Sequence, residues 1–198
     1  IDESNFQEEL HTGDALFLEN NLYNKSSIQK ENTALVKEFK ETSGKYYVDI
    51  PISVLKDYYG KMGPFAMLDV VEEDENSHSK CHNVGKVIFI QTRDINKAML
   101  ICRNRCTTGC FHGILMEMFK ENTSYSYEHI ELEETKKSIN TICNKSEINS
   151  HVKIGACIHG LGHAFLSLAN YNISTALTYC NLFKDKGSIY YCATGVFM

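Results

Sequence analysis

Four short segments of similar form constrain the fold of this chain more than any other feature. Each combines a cysteine with a glycine a few residues away, and a helical apolar run accompanies each. The segments are Cys81-His82-Asn83-Val84-Gly85-Lys86, Gly109-Cys110-Phe111-His112-Gly113, Cys157-Ile158-His159-Gly160-Leu161-Gly162-His163 and Cys192-Ala193-Thr194-Gly195-Val196-Phe197-Met198. Their unequal spacing predicts an irregular repeat of stacked helical hairpins, not a strict solenoid.

The remaining pattern also predicts an all-α fold. The chain has only two prolines, and few segments alternate as strands do. Residues 1–63 form a predicted N-terminal helical extension, with one helix around Leu35 and Phe39 and a short one at 52–59. Residues 64–198 form the predicted Cys/His-rich repeat domain. Its apolar end at 190–198 has no cap or polar tail, so we expect the natural chain to continue beyond Met198.

Charge and hydropathy exclude two classes of partner. The formal net charge is −5 and no basic cluster recurs along one face, so the footprint of a nucleic-acid-binding protein is missing. No stretch approaches the ~20 consecutive apolar residues of a membrane span. Other protein subunits at a cell surface remain as possible partners.

The eight cysteines leave two interpretations open. In an oxidising compartment they form disulfides, and in a reducing one they are metal ligands or buried apolar groups. Four glycosylation sequons favour an extracytoplasmic location; they begin at Asn24, Asn122, Asn144 and Asn172. Under that interpretation all eight cysteines are candidate disulfide partners: Cys81, Cys102, Cys106, Cys110, Cys143, Cys157, Cys180 and Cys192.

Spacing suggests part of the pairing. Cys143 with Cys157, and Cys180 with Cys192, are close enough in sequence to link helical hairpins. Cys102, Cys106 and Cys110 lie on one helix face only if a single helix contains all three. We expect residues 107–109 to break that helix. Disulfides to Cys81, to Cys143 or among themselves are favoured over a metal cluster.

The histidines of the two middle elements are the candidate metal ligands. His159 and His163 are four residues apart, which places both imidazoles on one helix face at chelating distance. His112 occupies the place in its element that His159 occupies in the next, and is the expected third ligand. His82 is a further candidate because it follows Cys81. Such a site with an open position suits Zn²⁺, Cu²⁺ or Fe²⁺.

Other residues receive secondary roles. Glu117 is the candidate carboxylate, as ligand or general base. The helix bearing His159 has no glutamate beside that residue, which disfavours a zincin protease.

Lys86 and the absent histidine of the last element indicate that the outer two elements are structural. The remaining histidines are expected at the surface: His11, His78, His129 and His151.

Three functions are therefore open. The leading one is an extracytoplasmic domain that binds a transition metal. A more specific version of it is a metalloenzyme that uses the histidine site. The second is a disulfide-linked structural or accessory subunit of a surface complex, in which the histidines only pack. The third is a thiol enzyme that uses Cys110 with His112.

The motifs resemble those of a family of uncharacterised archaeal and bacterial secreted proteins. That family combines Cys-His-x-x-x-His, Gly-Cys-Tyr/Phe-His-Gly, Cys-x-His-Gly-x-Gly-His and Cys-x-x-Gly-Val-Phe-Met elements. The resemblance covers residues 64–198 and departs at Lys86, where the family has a histidine. It implies a secreted protein and the location of a site, but no activity. The stretch 157–162 is also similar to the zinc-binding Cys-His-Gly motif of lanthionine cyclases, by analogy only.

Overall fold

The computed structural model describes residues 33–122, 143 and 154–198, and these residues form helices without any strand. Eight α-helices and one 3₁₀ turn follow in order: α1 (Thr33–Ser43), α2 (Ile52–Glu72), α3 (Ser77–Thr92), α4 (Ile95–Cys102), the 3₁₀ turn (Arg105–Thr108), α5 (Gly109–Asn122), α6 (Ile154–Leu168), α7 (Ile173–Cys180) and α8 (Lys186–Val196). The all-α prediction is confirmed. Residues 1–32, including His11 and Asn24, lie outside the described part.

Helix α2 bends in its middle. Gly63 has φ +77°, and Pro64 follows it inside the helix. Proline cannot donate the backbone hydrogen bond of a helix and its ring crowds the preceding turn, which explains the bend. The sequence predicts a short helix at 52–59, and in the structure this helix continues past the bend to Glu72. The predicted domain division between residues 63 and 64 falls at this bend and stays a prediction.

Side-chain caps set the start of three helices. The Asp94 carboxylate accepts hydrogen bonds from the first backbone amides of α4. Asn172 and Asp185 do the same for α7 and α8. Each cap satisfies amides that have no partner within the helix, a contribution of about 1 kcal/mol. Asn172, whose sequon makes it a predicted glycosylation site, is exposed.

Four disulfides cross-link the chain. They join Cys81 to Cys106, Cys102 to Cys110, Cys143 to Cys157 and Cys180 to Cys192. The last two are the bridges that the sequence spacing suggested. The predicted break between the helices of Cys102 and Cys110 is also confirmed, because a 3₁₀ turn separates α4 from α5. Each bridge stabilises the fold by about 2 to 4 kcal/mol.

The four repeated elements lie on α3, α5, α6 and α8, which pack as two close pairs. In the first pair, α3 with α5, a methyl group on Gly85 would lie 1.9 Å from the carbonyl oxygen of Cys110. In the second pair, α6 with α8, a methyl group on Gly162 would lie 2.1 Å from the carbonyl oxygen of Cys192. Glycine is therefore what lets each pair of backbones touch.

The contacts are reciprocal within each pair. Gly113 faces the carbonyl oxygen of His82, and Gly195 faces that of His159. The two pairs thus repeat one arrangement, with His82 and His159 at equivalent places. By the same register, Thr194 in the second pair stands where the first pair has His112. Contact between α5 and α6 joins the pairs.

Candidate metal centre

Five histidines from three helices meet where the two pairs join. His78 and His82 lie one turn apart on α3, His112 lies on α5, and His159 and His163 lie one turn apart on α6. Spacing of four residues brings two side chains to the same helix face, so each pair of histidines points in one direction. The bare backbone of Gly160 makes room for the His112 ring, because a methyl group there would lie 2.7 Å from its Cδ2.

Four of the five histidines form a group that could hold a metal ion. His78, His82, His112 and His163 each offer a ring nitrogen, and these four atoms all lie within 4.8 Å of one another. His112 and His163 are buried, with 1% and 8% of their surface exposed, whereas His78 and His82 are half-buried. Two members of the group therefore lie in the protein interior, and the other two lie nearer to solvent.

One pair of nitrogens in this group already has the separation of two ligands on one ion. The Nε2 atoms of His78 and His82 are 3.3 Å apart. Two nitrogens bound tetrahedrally to zinc at ~2.0–2.1 Å are about 3.4 Å from each other. All four candidate nitrogens lie within 4.8 Å of one another, close enough to be candidate ligands of one ion.

Among the histidines that the structure describes, two have a buried ring nitrogen without a hydrogen-bond partner. These nitrogens are Nδ1 of His112 and Nε2 of His163. Leaving a buried polar atom unsatisfied costs about 1–3 kcal/mol, and such atoms are rare in proteins. Both atoms belong to histidines of the four-residue group, where a metal ion would provide the missing partner.

The environment keeps these rings in the form that binds metals. Burial, followed by the nearby His163 and His78, lowers the pKa of His82 to about 2. Burial and the neighbouring His159 lower the pKa of His163 to about 4. Burial also lowers the pKa of His112 well below its usual range. All three imidazoles are therefore neutral at pH 7, and only a neutral imidazole has a nitrogen lone pair for a metal.

His159, a predicted ligand, lies beside the group of four and not within it. Its ring centroid is 5.2 Å from that of His112 and 4.9 Å from that of His163. Its Nδ1 atom lies 2.9 Å from the Oγ1 atom of Thr194 on α8. Burial lowers its pKa too, although this ring is only half-buried.

The structure brings the other predicted ligands together and adds one that sequence reasoning missed. His112, His163 and His82 are members of the group. The expectation that His78 is a surface residue without ligand spacing is wrong, because His78 is the fourth member. The first element therefore contributes to the site, contrary to the expectation that the outer two elements are structural. The sequence carried a signal for this, since His78 and His82 have the same spacing as His159 and His163.

Glu117 is buried but lies apart from the group. Its Oε1 atom is 3.6 Å from the ammonium of Lys120, and 8% of the residue is exposed. No carboxylate in the described part of the chain joins the four histidines. Lys86, which stands four residues after His82 as His163 does after His159, donates to the side chain of Asn83 at 2.9 Å.

The cysteines are not available for chemistry in this structure. All eight are paired, and none is a free thiol. The thiol-enzyme hypothesis for Cys110 is therefore wrong in this state, since Cys110 is bonded to Cys102. Thiolate metal ligation is absent for the same reason.

Some predictions fall outside the described residues or stay open. His129, His151 and Asn144 lie in segments that are not described, as does the side chain of Asn122. None of the described helices combines the length and apolar composition needed to cross a bilayer.

No protein-family model, curated protein or solved structure matches the chain. The resemblances drawn from the motifs therefore stay predictions.

Proposed function

We propose that this chain is an extracytoplasmic domain that binds one transition-metal ion through His78, His82, His112 and His163. The observation that carries the proposal is the group of four ring nitrogens within 4.8 Å, two of whose histidines have a buried nitrogen without any partner. A histidine cluster that served packing alone would be expected to satisfy those atoms.

The donor set supports Zn²⁺, Cu²⁺ or Fe²⁺. Imidazole nitrogen suits all three ions, whereas Mg²⁺ and Ca²⁺ prefer oxygen. The non-haem iron oxygenases use two histidines and a carboxylate, and the group of four includes no carboxylate. This favours zinc or copper over that class of iron site.

The disulfides support the proposed extracytoplasmic location. Four bridges within one small chain are typical of an oxidising environment outside the cytoplasm. They also hold the helices that carry the histidines: Cys81 precedes His82, and Cys157 lies two residues before His159. The ligands thus lie on a rigid framework, which favours a preformed site.

A metalloenzyme is the more specific form of the proposal. Four histidines on a tetrahedral ion fill its shell and make a closed structural site, whereas catalysis requires an open position. The half-buried His78 and His82 lie on the side from which a small molecule could reach the ion. Binding of azide or cyanide to the metal-loaded protein would support the catalytic form.

A competing function is a structural or accessory subunit that binds another protein. Exposed apolar side chains near the C-terminal end of the described chain favour it; they are Tyr190, Tyr191, Phe197 and Met198. The two functions separate on metal uptake. We expect the purified, desalted protein to retain close to one zinc or copper ion per chain and to lose thermal stability when a chelator removes it. A chain that retains neither ion, and whose stability a chelator leaves unchanged, would overturn the proposal and favour the subunit.

A further inference from the structure

Two threonine hydroxyls contact ring nitrogens of two of the five clustered histidines. Thr194 Oγ1 lies 2.9 Å from Nδ1 of His159, and Thr108 Oγ1 lies 3.1 Å from Nε2 of His112. Which atom donates in each contact determines the tautomer of the ring, and hence which nitrogen is left with a free lone pair.

A second contact of Thr194 indicates the direction of its hydrogen bond to His159. Its hydroxyl donates to the carbonyl oxygen of Tyr191 at 2.7 Å. A hydroxyl has only one hydrogen, so while it donates to Tyr191 the same oxygen accepts from the imidazole. In that arrangement His159 carries its proton on Nδ1. Its Nε2 atom is left with a lone pair, on a ring that contacts His112 and His163.

Thr108 acts in the same way on His112. While its hydroxyl donates to the carbonyl oxygen of Thr107 at 2.5 Å, its oxygen accepts from Nε2 of His112 at 3.1 Å. The lone pair of His112 then lies on Nδ1. This is the buried nitrogen that has no partner in the structure.

The backbone that presents Thr108 is strained and firmly anchored. Cys106, Thr107 and Thr108 have φ values of 53°, 52° and 71°, a left-handed conformation that residues other than glycine rarely adopt. Glu72 accepts a hydrogen bond from the backbone amide of Cys106 at 2.7 Å. The disulfide from Cys106 to Cys81 also ties this turn to α3. Strain of this kind persists where the surroundings hold it and is concentrated at functional sites.

From these contacts we propose that Thr108 and Thr194 are positioning residues, so that His112 binds the metal through Nδ1 and His159 offers Nε2 as a fifth nitrogen ligand. The inference rests on the proposed metal-binding function. To the proposed function it adds which nitrogen of His112 binds the metal and a coordination number above four. It also gives a role to Thr194, which stands in the second helix pair where the first pair has His112. In metal sites, such outer partners orient the ligating ring and strengthen its binding.

The ring positions are compatible with a fifth ligand. Within the group of four, ring centroids lie between 4.9 Å and 6.4 Å apart. The distances from His159 to the two buried ligands, 5.2 Å and 4.9 Å, fall in the same range. His159 lies on the side of the centre where α6 meets α8.

The test measures tautomers and metal affinity in the full chain. Long-range ¹H–¹⁵N correlation spectra of the imidazoles identify the protonated nitrogen, first in the metal-free protein and then with Zn²⁺. Thr108→Val and Thr194→Val remove each hydroxyl at nearly constant volume, and Thr194→Ser restores one. Thr178→Val is the matched control, because the Thr178 hydroxyl also donates to a carbonyl three residues earlier, at 2.6 Å, and has no histidine partner.

We expect the wild-type protein to show Nε2–H for His112 and Nδ1–H for His159. Each valine variant should lose the single tautomer of its own histidine and bind Zn²⁺ about 10- to 100-fold more weakly. Thr194→Ser and Thr178→Val should match the wild type. In the Co²⁺-loaded protein, Thr194→Val should strengthen the visible absorption bands, because loss of the fifth ligand leaves a tetrahedral ion.

Two results would overturn the inference without affecting metal binding itself. One is the opposite tautomer of either histidine in the wild type, and the other is unchanged Zn²⁺ affinity in both valine variants. If the wild type shows the expected tautomers but takes up no Zn²⁺ or Co²⁺, the proposed function is wrong, and the fifth-ligand role with it.

Discussion

Gly113 and the carbonyl oxygen of His82 are in such close contact that a methyl group on Gly113 would lie 1.8 Å from that oxygen. The contact places the backbone of α5 directly against His82, a member of the four-histidine group. Gly85 makes the reciprocal contact with Cys110. The separation of α3 and α5, and therefore that of their histidines, depends on the absence of side chains at these two positions.

Substituting one of these glycines should destabilise the fold strongly. Gly85→Ala places a Cβ atom 1.9 Å from a backbone oxygen, which only a shift of the whole helix can relieve. We expect a loss of about 3 kcal/mol or more in the free energy of unfolding, measured by urea denaturation. Gly60→Ala is the matched control. It lies in a helix with no atom within 4 Å of the new methyl group, and should be neutral or stabilising by up to ~1 kcal/mol. Equal effects of the two substitutions would contradict the close-packed pair.

Removing a buried ligand should abolish the effect of zinc on stability. In the wild type, zinc at 100 times its dissociation constant should add about 2.7 kcal/mol to the free energy of unfolding. In His112→Gln this increment should disappear, with zinc affinity falling by more than ~100-fold. The control is His129→Gln, which removes a histidine that the sequence predicts to be at the surface and which should leave the zinc increment unchanged. If the histidines only pack, His112→Gln would lower stability equally with and without zinc.

The metal-free protein should lose stability as the pH falls below about 6.5. The pKa values of His82 and His163 are lowered in the folded state, to about 2 and about 4. Between these values and the usual 6.5 the unfolded chain binds protons that the folded chain does not, so the free energy of unfolding decreases by up to ~1.4 kcal/mol per pH unit for each such histidine. Well above pH 6.5 the imidazoles are neutral in both states, and these histidines contribute no pH dependence. Urea unfolding in chelator at pH 7.5 and pH 5 measures the effect, and a stability that rises on acidification would contradict it.

The bridge between Cys180 and Cys192 should contribute to stability but not to metal binding. It links α7 to α8, and neither helix carries a member of the four-histidine group. Thr194 on α8 stays next to His159 without this bridge, because the contact of Gly162 with Gly195 holds α8 against α6. Replacing both cysteines with alanine should lower the free energy of unfolding by about 3 kcal/mol. Zinc affinity at a temperature where the variant is folded should stay within threefold, roughly, of the wild-type value. A loss of zinc binding comparable to that of His112→Gln would show that this bridge helps to shape the centre.

Much of the architecture follows from local sequence signals. Helical periodicity, caps such as Asn172 and the short spacing from Cys180 to Cys192 are properties of neighbouring residues, so they predict helices and hairpin bridges directly. The partners of Cys102 and Cys106 stayed open, because they depend on a left-handed turn made by residues other than glycine. Nothing in the residue types of that turn indicates such a conformation.

The centre was predictable only in part. The spacing of His159 and His163, and the parallel with His112, indicated where ligands would lie. His78 was missed because it precedes the cysteine of its element, although it lies one turn from His82. Which of the five histidines approach most closely depends on how α5 crosses α6, and no spacing within one helix contains that information. For the same reason the position of Glu117, apart from the histidines, could not be read from its distance to His112 in sequence.

X-ray absorption at the zinc edge of the zinc-loaded protein tests the central claim most directly. We expect a first shell of nitrogen atoms at ~2.0–2.1 Å with the outer scattering of at least four imidazoles and no sulfur. His112→Gln and His163→Gln should each lower the imidazole count or abolish loading. A wild-type chain that retains no zinc after desalting, or a shell made of oxygen atoms with fewer than three imidazoles, would contradict a metal centre built from these histidines.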